Sequence, residues 1–127
     1  CKVGGFDLCA MTGVFLGAAH ARLPVVVDGF ISIVAALCAA RLCKNARGFF
    51  FGSHVSYERG YKVAEQLLGL QPCLQLGMRL GEGSGCPLAF RVIEAACAVI
   101  STMATFPEAA IDDEYLTKIR ERDSFTV

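Results

Sequence analysis

The chain holds 127 residues, 54% of them hydrophobic and 19% charged, with a mean hydropathy of +0.50. That balance excludes intrinsic disorder, which needs few apolar residues and a large net charge. Twelve Lys and Arg offset twelve Asp and Glu, so no bulk field draws the chain to nucleic acid or to an anionic membrane. A small domain has much surface to cover, and so apolar a composition predicts that a partner subunit or further chain covers part of it.

Gly4-Gly5-Phe6-Asp7 reads as a turn into a helix, which continues at helical spacing through Leu8, Met11, Phe15, Leu16 and Ala19. Pro24 closes the next connection, and Val25-Val26-Val27 is a β-branched run of the kind found in strands buried on both faces. Ile31 to Leu42 follows as an interior helix, with Ile31, Val34, Ala35, Cys38 and Leu42 on one face and other residues nearly as apolar. The uncharged stretch Gly29–Ala40 has 12 residues, against about 20 for a membrane-spanning helix. Lys44 to Gly48 is a polar turn, and Phe49 to Ser53 a second strand. Ser56 then precedes a helix over Tyr57–Leu68, with Glu58 in its first turn, where the macrodipole favours an acid.

Between residues 72 and 80, Leu74, Leu76, Met78 and Leu80 alternate with Gln75, Gly77 and Arg79, a strand-like period of two. Gly81-Glu82-Gly83-Ser84-Gly85 is a glycine-rich loop, and Pro87 suits the first turn of a helix reaching Met103. Past Thr105 the composition becomes charged, and Tyr115–Arg122 reads as a short surface helix or frayed tail. No internal repeat is present.

This alternation predicts an α/β fold: part of a doubly wound, Rossmann-like parallel sheet with flanking helices, plus C-terminal helices. Ligands of such sheets bind outside the C-terminal ends of the strands. Residues 1–106 are assigned to the α/β domain and 107–127 to the charged tail. The seven cysteines form no CxxC and no zinc-spaced cluster, so they read as reduced core thiols of a cytoplasmic protein, with no metal site. The opening Cys1-Lys2-Val3 carries neither Met nor a signal-peptide pattern and reads as the inside of a longer protein.

Three polar sites fall where strand or loop gives way to helix. Asp28, after the Val run, suits either a ribose hydroxyl or the N-cap of the next helix. Ser56 suits either a phosphate at a helix start or an ordinary N-cap. Nearby His54 suits either an acid or base or, more often for a lone loop histidine, neither. Glu82 suits either a general base held on a loop of fixed shape or an exposed acid on a flexible turn. The loop is neither a P-loop nor a dinucleotide fingerprint.

Four runs together resemble a known family: Gly4-Gly5-Phe6-Asp7, Leu23 to Ser32, Ser53 to Glu58, and Met78-Arg79-Leu80-Gly81-Glu82-Gly83-Ser84-Gly85. In order and spacing they resemble the C-terminal part of nicotinate-nucleotide–dimethylbenzimidazole phosphoribosyltransferases, over residues 3 to about 106. The resemblance implies transfer of phosphoribose from nicotinate mononucleotide to 5,6-dimethylbenzimidazole in cobalamin lower-ligand synthesis. It implies Glu82 as general base, Ser56 as phosphate ligand, Asp28 and Asp7 as polar groups near the ribose or supporting the site, Leu80 lining the benzimidazole pocket, and Gly81 and Gly83 as further substrate-binding positions. It also implies a homodimer with no metal or organic cofactor, and no nucleic-acid or membrane partner. The family's chain is far longer, so this segment reads as a fragment. The alternatives are a non-catalytic module that binds α-ribazole or a benzimidazole, and a scaffold fragment without a ligand.

Overall fold

Three short strands pair into one parallel sheet in a computed structural model that describes residues 4–110. They are β1 (Val25–Val27), β2 (Phe50–His54) and β3 (Pro72–Leu74), in the order β1-β2-β3, with Val27 opposite Gly52 and His54 opposite Leu74. Parallel neighbours need crossovers rather than hairpins. The crossovers carry α2 (Phe30–Leu42), followed by a 3₁₀ turn (Lys44–Phe49), and α3 (Arg59–Leu68). α1 (Phe6–His20) precedes the sheet and α4 (Gly85–Thr102) follows it. The parallel α/β arrangement is the one expected, and no reversal of strand order occurs among the described residues.

α2 packs against both α1 and α3, and its buried positions are Ile33, Ala35, Ala36 and Ala39. Small side chains allow this approach: Thr12 of α1 donates to Leu8 O at 2.7 Å and also reaches Ala35 O at 3.3 Å. Phe15 and Phe50 meet edge to face with ring centroids 5.0 Å apart, a favoured aromatic geometry. At Gly60 a Cβ would lie 2.6 Å from the Phe30 ring, so the glycine admits that ring against α3. α3 ends on Gly69 in the left-handed region, φ 63°, as helix C-caps often do. Arg47 closes the same end, donating to Leu68 O at 2.7 Å, to Gly69 O, and to Phe50 O at 3.2 Å.

Several expectations are corrected. The α2 face is shifted: Ile31, Cys38 and Leu42 are exposed, because α2 packs on α1 and α3 with Ile33, Ala35, Ala36 and Ala39 turned inward instead. β1 is only half-buried at Val25 and Val26, and Phe51 on β2 is 46% exposed, so the sheet is not covered on both faces by the described residues. β2 starts and ends one residue later than expected, which moves His54 from a loop into the strand. The alternating run at 72–80 is a strand only to Leu74, where Val55 N–H makes the last ladder bond to Leu74 O at 3.0 Å. Gly77 then turns left-handed at φ 62°, which an extended strand cannot accommodate. α3 starts at Arg59 with Glu58 as its extended N-cap residue, so Ser56 caps nothing and Glu58 lies outside the first turn. Of the described cysteines, Cys9, Cys38, Cys43, Cys73 and Cys97 are exposed and Cys86 is half-buried, all with free thiols, so they are not core residues of this chain: Cys38 lies on the outer face of α2, although Ala35, Ala36 and Ala39 beside it are buried, and Cys1 lies outside the described residues.

Internal contacts divide the chain into residues 1–94 and residues 95–127. In the second unit the described part is the end of α4 and the turn after it. There Glu108 accepts from the backbone N–H and the hydroxyl of Thr105, both at 2.8 Å, which holds its carboxyl below the ordinary value. The expected helix Tyr115–Arg122 lies outside the described residues. Among the described residues, Gly85–Thr102 is the one helix long and apolar enough to cross a membrane by length and composition, a test that core helices of soluble proteins also pass.

The tightest backbone approach in the sheet yields a stability prediction. A Cβ on Gly52 would lie 2.9 Å from Pro72 Cα and 3.1 Å from Pro72 N, and neither atom can move without parting β2 from β3. Gly52→Ala is expected to lower unfolding stability by about 1–3 kcal/mol, the usual cost of overpacking. Urea denaturation measures it, and a change within error of zero would contradict the packing described.

Candidate active site

The ends of β1 and β2 place three polar side chains in the interior. Asp28 directly follows β1, and Ser53 and His54 close β2; all three are buried. A buried polar group is costly unless it is paired, and each of these is. Asp28 Oδ1 accepts from Gly85 N–H at 2.8 Å and Oδ2 from Gly83 N–H at 3.0 Å. The hydroxyl of Ser53 donates to Val27 O at 2.8 Å. It also reaches Asp28 O at 3.3 Å, and its oxygen lies 3.1 Å from His54 Nδ1, within hydrogen-bond distance. The same nitrogen lies 3.5 Å from Asp28 Oδ1. The N-cap of α2 is Gly29, with no side-chain cap, so Asp28 is not a helix cap.

Gly85 lies flat on this cluster. A Cβ there would sit 2.8 Å from Asp28 Oδ1 and from Ser53 Oγ and would collide with His54 Nδ1. The preceding loop is left-handed at three consecutive residues: Gly81 at φ 73°, Glu82 at 53° and Gly83 at 77°. Glycines accept that region freely, whereas an L side chain there costs about 1–2 kcal/mol. Ser84 N–H to Gly81 O at 2.9 Å and Cys86 N–H to Gly83 O at 3.0 Å close the turn.

A cleft of about 670 Å³ opens beside this loop. Asp7, Asp28, Ser56, Leu80, Gly81, Glu82 and Gly83, which the sequence singled out, all line it. Glu82 and Asp7 are exposed to it, and Leu80 stands open at 72% exposure. Ser56 is buried, and its hydroxyl donates to the Glu58 carboxylate. Arg79 is the one lysine or arginine on the lining, which also carries the acids Asp7, Asp28, Glu58 and Glu82. Its guanidinium lies 4.0 Å over the Tyr57 ring centroid, within cation–π range. Among the described residues, no group of three or more His, Cys, Asp or Glu could hold a metal ion.

Sequence reasoning weighed His54 as an acid or base without choosing it, treated Gly85 only as one of three permissive loop glycines, and assigned no role in the site to Ser53 or Glu58. The usable signal for His54 is strand length: one more residue on the Phe-Phe-Phe-Gly-Ser run carries it to the strand's C-terminal end, where ligands of such sheets bind. Two further groups feel Asp28. Burial, and secondly the charge of Asp28, raises the Cys86 thiol above its ordinary value. Tyr61, fully buried with an unpartnered hydroxyl, is raised first by burial and then by Glu65 and Asp28.

The loop geometry and the Cys86 environment can each be tested. Glu82→Gly relieves a left-handed side chain worth about 1–2 kcal/mol but adds glycine's unfolded-state freedom, about 0.5–1 kcal/mol. The variant should therefore be more stable in thermal unfolding, and a lower Tm would mean that the Glu82 side chain makes a stabilising contact. Because the thiolate is the nucleophile and a raised pKa leaves less of it at about pH 8, Cys86 should be alkylated by iodoacetamide more slowly than Cys9, Cys38, Cys43, Cys73 or Cys97. Peptide mass spectrometry of the native protein reads this directly, and equal rates would contradict it.

Comparison with known proteins gives this cleft its context. A family model described as Phosphoribosyltransferase (DBI_PRT) matches residues 1–111. The nicotinate-nucleotide–dimethylbenzimidazole phosphoribosyltransferase of Clostridium perfringens is 57% identical over 126 residues, 99% of this chain and 35% of that protein. The Yersinia enterocolitica protein of the same name is 52% identical over 111 residues, 87% of this chain and 32% of its own length. The crystal structure of CobT from Thermus thermophilus superposes with a TM-score of 0.82 at 40% identity, covering 87% of this chain and 33% of that one. The chain thus spans about a third of the length of these relatives. It belongs to the DBI_PRT phosphoribosyltransferase family.

Proposed function

We propose that the protein carrying this chain transfers the phosphoribosyl group of nicotinate mononucleotide to 5,6-dimethylbenzimidazole, releasing nicotinate and α-ribazole 5′-phosphate for cobalamin lower-ligand synthesis. The observation that carries this reading is Glu82: a carboxylate on a left-handed turn, exposed to a cleft beside the strand ends, in a chain of this family.

The chemistry is a direct displacement. The unprotonated ring nitrogen of the benzimidazole attacks the anomeric carbon on the face opposite nicotinate, and a C–N bond forms. The bond to nicotinate breaks, and its electron pair returns to the pyridinium nitrogen, which becomes neutral. Attack from the opposite face turns the β linkage into an α linkage. The new azolium carries an N–H proton, which Glu82 removes as general base. The leaving group is already cationic, so the proposal calls for no metal or organic cofactor.

The reading gives roles to other residues of the cleft, in line with the family resemblance. Ser56 is the phosphate ligand, its hydroxyl turning from the Glu58 carboxylate to a phosphate oxygen. Asp7, exposed in the first turn of α1, is placed near the ribose hydroxyls. Leu80, with Gly81 and Gly83, offers apolar surface and bare backbone to the flat benzimidazole. The reading includes a cytoplasmic homodimer without a nucleic-acid or membrane partner, in keeping with the balanced charge. It also includes a doubly wound sheet whose second helical layer comes from the rest of a longer protein, in keeping with the uncovered Phe51 and the greater length of the relatives.

The test is nicotinate release by the full-length protein that contains this chain, with both substrates present. Release should depend on the benzimidazole, and Glu82→Gln should slow it by about 10²–10⁴-fold, the usual contribution of a general base. No release from folded wild type with any benzimidazole would rule out the transferase. Release unaffected by Glu82→Gln would remove Glu82 from the mechanism.

A further inference from the structure

We propose that Asp28 is a positioning residue for Glu82: its buried carboxylate grips the glycine-rich loop by two backbone N–H groups and fixes the conformation from which Glu82 reaches the substrate. The inference rests on the phosphoribosyl-transfer reading, which makes Glu82 the base.

A loop of Gly-Glu-Gly-Ser-Gly has little to hold it in one shape, since its glycines are free over most of the backbone map. Glu82 prefers the right-handed α and β regions to the left-handed one it occupies at φ 53°. Something outside the loop must therefore over-determine its shape. Among the described residues, the hydrogen bonds linking residues 81–85 to another segment all end on Asp28. The two donors, Gly83 and Gly85, stand one and three residues after Glu82. They fix the peptide directly following it and the start of α4.

Asp28 is itself held. It leaves β1 directly, its side chain is 12% exposed, and Gly85 packs on it with no room for a Cβ. Ser53 and His54 stand behind it, bonded to one another and to the β1 carbonyl. A carboxylate is the side chain that fits, because both facing groups are donors. An amide would turn an NH2 toward one of the two N–H groups, whereas each Asp28 oxygen accepts one of them. With both oxygens engaged in this way, the geometry favours holding the loop over holding a ribose hydroxyl, the role the sequence had left open.

The test compares Asp28→Asn, Asp28→Glu, Glu82→Gln and the double variant Asp28→Asn/Glu82→Gln in the full-length protein, by nicotinate-release kinetics and by amide hydrogen exchange. Misplacing a catalytic group by about 1 Å costs on the order of 100-fold. Asp28→Asn is therefore expected to lower kcat by about that factor with little change in KM for the nucleotide, and Asp28→Glu, which still accepts two hydrogen bonds, should recover part of it. A residue that acts through Glu82 loses its effect when Glu82 is gone, so the double variant should be no slower than Glu82→Gln alone. The Gly83 and Gly85 amides should be protected in wild type and exchange at least about tenfold faster in Asp28→Asn, while those of β2 and α3 keep their protection.

A raised KM with kcat preserved would mean that Asp28 holds the nucleotide itself, and would overturn the proposal. Additive losses in the double variant would overturn it too, as would unprotected Gly83 and Gly85 amides in wild type, an outcome that needs no variant to fold. In each of these cases an active wild type leaves the transferase reading standing. A wild type that releases no nicotinate sinks the transferase reading and the role of Asp28 together.

Discussion

The site depends on one buried carboxylate at the end of a strand. Asp28 leaves β1 where a parallel sheet exposes its C-terminal edge, and it turns inward to meet two backbone N–H groups more than fifty residues away in sequence. An ionised group in an interior is tolerated only when donors replace its water, and the loop supplies them. The arrangement is mutual: the carboxylate gives the loop a shape, and the loop gives the carboxylate a reason to stay buried. Gly85 makes the approach possible by having no side chain, and Ser53 with His54 completes the polar floor.

The same economy of volume governs the helical layer. α2 buries Ala35, Ala36 and Ala39 beside the larger Ile33, and Phe30 reaches α3 because position 60 is glycine. Helices brought this close leave little freedom in the position of β1, because β1 runs straight into α2. The Asp28 backbone inherits that rigidity. Precision at the loop thus begins in a layer of small residues well removed from the cleft.

Much of this is legible in the sequence, and the rest has identifiable obstacles. β1 can be placed to the residue, because a Val run bounded by Pro24 and Asp28-Gly29 admits little else. The seven residues that the sequence singles out line one cleft, since strand ends and loop starts converge on a parallel sheet's C-terminal edge. The segment after Leu74 reads wrongly as strand because its Leu/Met alternation imitates one, while the left-handed backbone at Gly77 and Gly81 cannot be seen in a letter pattern. Ser56 resembles a cap because caps are defined by the N–H they accept, and nothing local announces that Glu58 takes its hydroxyl instead. The partnership of Asp28 with Gly83 and Gly85 is long-range, so local spacing cannot reveal it. His54 reads as a loop residue for want of one residue of strand.

Arg47 carries a consequence of a different kind. From the 3₁₀ turn it reaches the last carbonyls of α3 and the first of β2, groups about twenty residues apart along the chain. These bonds exist only when the strand and the helix that follows it are both in place, so one guanidinium makes the end of α3 and the start of β2 report on each other. Neither can fray alone without releasing donors that the other needs satisfied. The second crossover should therefore open as one cooperative block rather than unravel from the exposed Leu67 end of its helix. That ties the persistence of His54, at the far end of β2, to a turn on the opposite side of the sheet.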